Sequence, residues 1–169
     1  MNSLANLRKV WCGPWSALAV ALVLPTIGLA QSSCPIIPAD EAAAILGGKP
    51  TRTEEAFKCT YALAGGRATL IVALQTMGSH SLGQMVFTDS RKEFVGKGAT
   101  VKDEPSIGQP AFSFAYPIKE GERDSGFFVW KGSGVLMVWL IEKGAGPMTR
   151  SAGGIDKLRP IIKKAAGRI

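Results

Sequence analysis

Histidine and cysteine are scarce in this chain, and each shortage removes a class of chemistry. The 169 residues hold one histidine, His80, and three cysteines, Cys12, Cys34 and Cys59. One imidazole and no cysteine cluster leave a zinc centre short of its usual ligands, so no metal site is expected. A Ser/His/Asp hydrolase would have only His80 to use. Ser79 and Ser81 adjoin it, but adjacency in sequence supplies no nucleophile geometry, and a helix cap suits such serines better. The acids form no evident pair of the kind glycoside hydrolysis needs. Asp103, Glu104, Glu120, Glu122 and Asp124 fall in expected turns facing water, and Glu54 and Glu55 in a loop. Glycine is plentiful but not arranged for nucleotides. Gly47-Gly48-Lys49-Pro50 lacks phosphate-loop spacing, and the glycine-rich stretch 143–154 has no GxGxxG pattern or βαβ context. The chain is therefore expected to be non-enzymatic and without a cofactor. The alternative is a hydrolase with an unrecognised site.

Long apolar runs are also missing, with one exception at the N-terminus. Arg8 and Lys9 precede an apolar run over 15–24, then Pro25 and Gly28-Leu29-Ala30. This is the layout of a secretory signal peptide with its cut after Ala30. The rival is an uncleaved anchor, because 11–30 approaches the roughly 20 residues that span a bilayer. Pro14, Pro25 and the small residues at the cut argue for cleavage. Residues 1–30 are thus expected to be a signal peptide and 31–169 one exported domain, periplasmic or secreted. Gln31-Ser32-Ser33 before Cys34 is not the pattern of a lipid-modified cysteine.

Cleavage would remove Arg8, Lys9 and no acid, lowering the formal charge from +7 to +5. The remaining bases are spread along the chain. A positive balance favours anionic partners, so contact with an anionic lipid or polymer surface is an alternative function. Nucleic acid is not expected, since no basic motif is interleaved with aromatics. Cys12 would leave with the signal peptide. Cys34 and Cys59 then form an even count in an oxidising compartment, which suggests one disulfide; a metal or redox pair is the other reading.

Hydrophobic periodicity organises the rest. A short helix is expected over 39–46, with Asp40 and Glu41 in its first turn and Gly47-Gly48 as its stop. The polar stretch to Glu55 reads as a loop. Residues 57–63 alternate and 68–77 are apolar on both faces, giving a hairpin with a central strand. A helix is expected over 79–94, and short strands over 100–102 and 111–116. The clearest hairpin joins 127–130 to 135–141 through Gly132-Ser133-Gly134. A glycine-rich loop over 143–154, able to act as a hinged lid, precedes a closing helix over 155–166, with Pro160 near its first turn. The fold class is α+β: a single antiparallel sheet built from two hairpins, with helices packed on one face. The order also allows a degenerate helix-and-hairpin duplication.

Several landmarks occur together: Cys34-Pro-Ile-Ile-Pro, Glu41-Ala-Ala-Ala-Ile-Leu-Gly-Gly, Cys59-Thr-Tyr, Ile107-Gly108, Ala111-Phe112 and Val129-Trp130-Lys131-Gly132. Over most of 34–167 this resembles the exported domains of unknown function typified by the actinobacterial DUF3558-type lipoproteins. The resemblance implies an extracytoplasmic α+β domain, a Cys34–Cys59 bond and no catalytic residues to carry over. The chain departs from that pattern in two places. It lacks the lipidated cysteine, and it has Gly108-Gln109-Pro110 where those proteins tend to have Gly-x-Gly-Asp.

The second hairpin is the best binding candidate. Phe128, Trp130, Leu136, Val138 and Leu140 are expected on one face, and Phe127, Val129, Val135, Met137, Trp139 and Ile141 on the other. Helices on one side would leave the second face to line a pocket or meet a partner. The candidate surface is Phe112, Phe114, Tyr116, Phe128, Trp130 and Trp139. The expected function is an exported, non-catalytic cell-envelope domain that binds a small apolar ligand or a protein partner.

Overall fold

The computed structural model describes residues 33–116, 121–144 and 153–169. The signal peptide expected over 1–30 and most of the 143–154 lid loop lie outside the described residues. Among the described residues, no helix is long and apolar enough to cross a membrane.

Among the described residues, three α-helices and seven strands follow in the order α1 (Ala39–Leu46), β1 (Thr51–Glu55), β2 (Lys58–Ala62), β3 (Ala68–Thr76), α2 (His80–Gly96), β4 (Thr100–Asp103), β5 (Ala111–Ala115), β6 (Glu122–Lys131), β7 (Gly134–Lys143) and α3 (Gly153–Arg168). The strands form one antiparallel sheet in the order β1-β2-β3-β7-β6-β5-β4. The α+β class and the single antiparallel sheet expected from the sequence are both present. The two expected hairpins, β2–β3 and β6–β7, meet at the centre through the β3–β7 pairing. The sheet is wider than the hairpins alone, because β1 and the β4–β5 pair extend its edges. Residues 51–55, expected as a loop, form β1. All five are exposed, so neither strand face had an apolar residue to announce it. Such a charged, polar strand is suited to an unpaired edge.

The helices do not share one face of the sheet. Phe127, Val129, Leu136, Val138 and Leu140 point toward Leu158, Ile162 and Ala165 of α3 and Ile45 of α1. Phe128, Val135, Met137, Trp139 and Trp130 point the other way, toward Val86, Phe87 and Phe94 of α2. The expected packing on one side is therefore corrected: α1 and α3 cover one face, α2 the other. The physical reason is the double-sided apolar hairpin, whose second face also has to leave water. The expected face assignment is corrected as well. Gly132 and Ser133 alone form the turn, so Lys131 pairs with Gly134, Trp130 with Val135 and Val129 with Leu136. Counting Gly134 into the turn shifts the register by one, and a one-residue shift exchanges the faces of a whole strand.

Small residues set the closest approaches. A Cβ on Gly126 would lie 2.2 Å from the Val138 carbonyl oxygen and 2.6 Å from the Phe114 ring. A Cβ on Gly154, in the first turn of α3, would lie 2.2 Å from Ser125 Oγ. Gly47 ends α1 in the left-handed conformation at φ 76°, as a glycine stop should. Helix α3 begins at Gly153, earlier than expected, so Pro160 sits inside it rather than in its first turn. Pro160 is exposed, and the carbonyl left without an N–H partner there can bond to water.

The N-terminal lead-in is fastened to the sheet by the Cys34–Cys59 disulfide. The buried Tyr61 hydroxyl donates to the Ile37 carbonyl at 2.7 Å, with the Cys34 carbonyl at 3.2 Å. Ser33 Oγ donates to the Phe57 carbonyl and accepts from Leu74 N–H. Arg168 of α3 grips Glu41 of α1 with two hydrogen bonds of 2.7 and 2.8 Å and also donates to the Ile36 carbonyl. Replacing Cys34 with Ser is expected to lower stability by about 3 kcal/mol in urea denaturation, since the bond spans 25 residues. An unchanged midpoint would contradict this. Gly126→Ala is expected to cost at least about 3 kcal/mol, because strand backbone and the Phe114 ring both block the new methyl. A near-native melting temperature would show that the strand can yield there.

Candidate functional site: an aromatic face under a loosely seated helix

The structure gathers all six candidate residues on one face of the sheet. Phe112, Phe114 and Tyr116 come from β5 and the residue after it, Phe128 and Trp130 from β6, and Trp139 from β7. Strand alternation places each ring on that face. Phe112 and Phe128 stack at 5.1 Å with their planes 4° apart. Phe114 stands edge-on to Trp139 at 5.5 Å and 88°. Phe94, from α2, touches five of these residues and lies 4.1 Å from Phe114. It is the one buried aromatic that α2 supplies; the sequence places it in a loose helical stripe with Leu82, Met85 and Val86, of which Leu82 and Met85 are exposed, and not among the candidate site residues.

The six residues are not equally covered. Phe112, Phe114 and Phe128 are buried and act as core. Tyr116, Trp130 and Trp139 are half-buried and form the rim. Trp130 donates its indole N–H to the Gly132 carbonyl at 2.8 Å, and its ring meets exposed His80 at 4.6 Å. Trp139 has no such bond: its buried Nε1 is without a hydrogen-bond partner among the described residues.

Helix α2 is a thin cover. Of its seventeen residues only Gly83 and Phe94 are buried, while Leu82, Met85 and Val95 are exposed. A Cβ at Gly83 would lie 3.0 Å from Trp130 Nε1, so a small residue lets the helix reach the β6–β7 turn. Ser79 caps the helix by accepting from Leu82 N–H, as the sequence suggests, and its hydroxyl also meets that of Ser81. Arg91 reaches Asp103 on β4, so that flank of α2 is tied to the sheet edge. On the other flank, Ile71 and Ala73 of β3 pair with Trp139 and Met137 of β7. These four are only half-buried and continue the aromatic face as an apolar floor beside the helix.

A second polar region lies on the α3 side and was not foreseen. Glu104, expected to face water, is buried; Arg159 donates to both its carboxylate oxygens, at 3.0 and 3.1 Å. Burial alone would push the Glu104 carboxyl up, but the hydrogen bonds from Arg159 and Ser113 outweigh it and hold the carboxyl below its ordinary 4.5. The pair borders a cleft of about 310 Å³ lined by Thr100, Lys102, Ser113, Phe114, Ala115 and Ile155. Arg159 also bonds Asp156 at 2.7 Å, so most of its donors are occupied and the pair reads as a tie between α3 and the β4–β5 edge. Ser125, buried against Gly154, has no partner for its hydroxyl among the described residues.

These features define a disulfide-bridged α+β domain whose one aromatic sheet face is capped by a single weakly buried helix. No family model matches the chain, and no curated protein matches it.

A carboxyl held below its ordinary value contributes stability above that value and loses it as pH falls through its folded one. Glu104→Gln is therefore expected to cost about 1–2 kcal/mol at pH 7, at the modest end because Arg159 is partly exposed. The difference should shrink as pH falls below the ordinary 4.5 and through the lower value at which the native Glu104 carboxyl takes up its proton. Urea midpoints of both proteins at pH 7 and through the acid range check this, and a constant difference would refute it.

Proposed function

We propose that this chain is an exported, non-catalytic domain of the cell envelope that binds a small apolar ligand at the aromatic face beside α2. The observation that carries the reading is the way that face is covered. A layer of six aromatic side chains lies beneath a helix that buries only Gly83 and Phe94. Trp139 and Met137 then extend the layer to the open, half-buried floor with Ile71 and Ala73. Burying apolar surface yields roughly 25 cal/mol per Å², so a ligand that covers this floor gains from the contact. Export is supported by the signal-like N-terminus, and the Cys34–Cys59 disulfide is compatible with an oxidising compartment.

The basic-surface alternative draws less support. Among the described residues, ten Lys and Arg side chains are already engaged in ion pairs, among them Arg52, Lys58, Arg91, Lys143, Lys157 and Arg168.

The neutral apolar dye N-phenyl-1-naphthylamine tests the reading. Saturable binding of one dye per chain is expected, weakened about tenfold or more by Trp139→Ala, which corresponds to about 1.4 kcal/mol. Phe57→Ala serves as the control, since Phe57 is exposed in the β1–β2 turn and lies outside the aromatic cluster. Binding that never saturates, or that both variants weaken equally, would overturn the proposal.

A further inference from the structure

The aromatic face carries polar chemistry at one end that a purely apolar ligand would leave unused. Ser125 packs against Gly154 on the α3 side, so its neighbour Asp124 lies on the aromatic side. Asp124 pairs across the sheet with Ile141. On its other side, its carbonyl accepts the Tyr116 N–H at 2.9 Å. The Tyr116 and Trp139 rings stack over this stretch, with centroids 6.3 Å apart and planes 23° apart. Gly126, the next residue of β6 on the same face, pairs with Trp139 and leaves the space that the Phe114 ring enters. One carboxyl group, two half-buried rings and an indole N–H therefore come together at the margin of the helix-covered layer.

Two atoms of this group are anomalous. Asp124 Oδ1 and Trp139 Nε1 are both buried, and neither has a hydrogen-bond partner among the described residues. A buried polar group without a partner costs about 1–3 kcal/mol, and here two of them, one acceptor and one donor, occupy a single patch. The acceptor belongs to a carboxylate on β6 that lies between Tyr116 and Ile141 in the register, on the same sheet face as the Tyr116 and Trp139 rings. That is the surrounding an ammonium group prefers, since ring faces and carboxylate oxygens both attract positive charge.

Resting on the ligand-binding reading above, we infer that the Asp124–Tyr116–Trp139 patch recognises a protonated amine carried on an apolar body. The ammonium group donates to Asp124 Oδ1 and lies against the Tyr116 and Trp139 rings, and the apolar body extends over Met137 and Ile71. An acceptor atom near the amine would take the Trp139 indole N–H. The neighbouring charges are compatible with this. Glu122 and Lys143 pair with each other at 3.6 Å, and Lys97, beside Tyr116, is held by Glu93. Burial and the nearby Glu122 push the Asp124 carboxyl up, partly offset by Lys143.

The test compares three probes that share a four-carbon body and differ only in the head group: n-butylammonium, n-butanol and butyrate. Binding is read from the Trp139 indole ¹⁵N–¹H resonance of the full protein, assigned with Trp139→Phe. The expected result is a saturable shift with n-butylammonium at an affinity about tenfold or more above that of n-butanol, and none with butyrate. Asp124→Asn should erase the preference for the amine while leaving n-butanol binding and the melting temperature near the native values. Equal binding of n-butylammonium and n-butanol would overturn the inference and leave the apolar-ligand proposal standing. Tighter binding of butyrate would overturn it in the opposite sense. If no probe moves Trp139 and the dye also fails to bind, both the inference and the ligand-binding proposal fall.

Discussion

A β-hairpin that is apolar on both faces is the constraint on which this structure depends. Strands β6 and β7 alternate large apolar residues toward each side, so neither side can remain in water. The sheet consequently becomes the middle layer of three. Helices α1 and α3 supply one cover through Ile45, Leu158 and Ile162, and α2 supplies the other through Phe94 and Phe87. The lead-in disulfide, the Tyr61 hydroxyl bond and the Arg168–Glu41 pair then fasten the first cover at the β2–β3 side. No comparable set of ties fastens α2 among the described residues; its side-chain links to the sheet region are the Arg91–Asp103 pair and its ring contacts.

The two covers differ in kind, and the proposed binding function rests on that difference. The α1/α3 side is built mostly from aliphatic residues, with Tyr61 and Phe127 among them, that are almost wholly buried. The α2 side is built from rings, with a helix that touches them along a narrow stripe and leaves Leu82 and Met85 in solvent. Rings present flat surfaces and tolerate a guest between or beside them more readily than interdigitated aliphatic chains do. The unpartnered Asp124 and Trp139 atoms lie on this second side as well. Loose cover, half-buried rings and unmet hydrogen bonds thus coincide at one end of one face.

Much of this was legible in the residues. The α1 boundaries, the glycine stop, the Ser79 cap, the β2–β3 and β6–β7 hairpins and the Cys34–Cys59 pairing follow from local rules of capping, alternation and cysteine count. Other features were not legible, and for identifiable reasons. β1 has no buried face, so alternation had nothing to register. Glu104 looks like one more surface acid until the fold brings Arg159 to it from 55 residues away. The face assignments of the second hairpin turned on whether its turn holds two residues or three, a difference that composition does not reveal.

The sequence by itself determined the element types apart from β1, the double-sided apolar character of the central hairpin and the set of aromatic residues able to make a surface. Each depends on spacing within a few residues, where backbone geometry dictates which side chains share a side. Only the tertiary structure decided which helix covers which face, that Phe112, Phe114 and Phe128 are core while Tyr116, Trp130 and Trp139 are rim, and that Asp124 joins the rim. Those outcomes depend on contacts between residues far apart in the chain, set by strand order and by the single-residue register of β6 on β7.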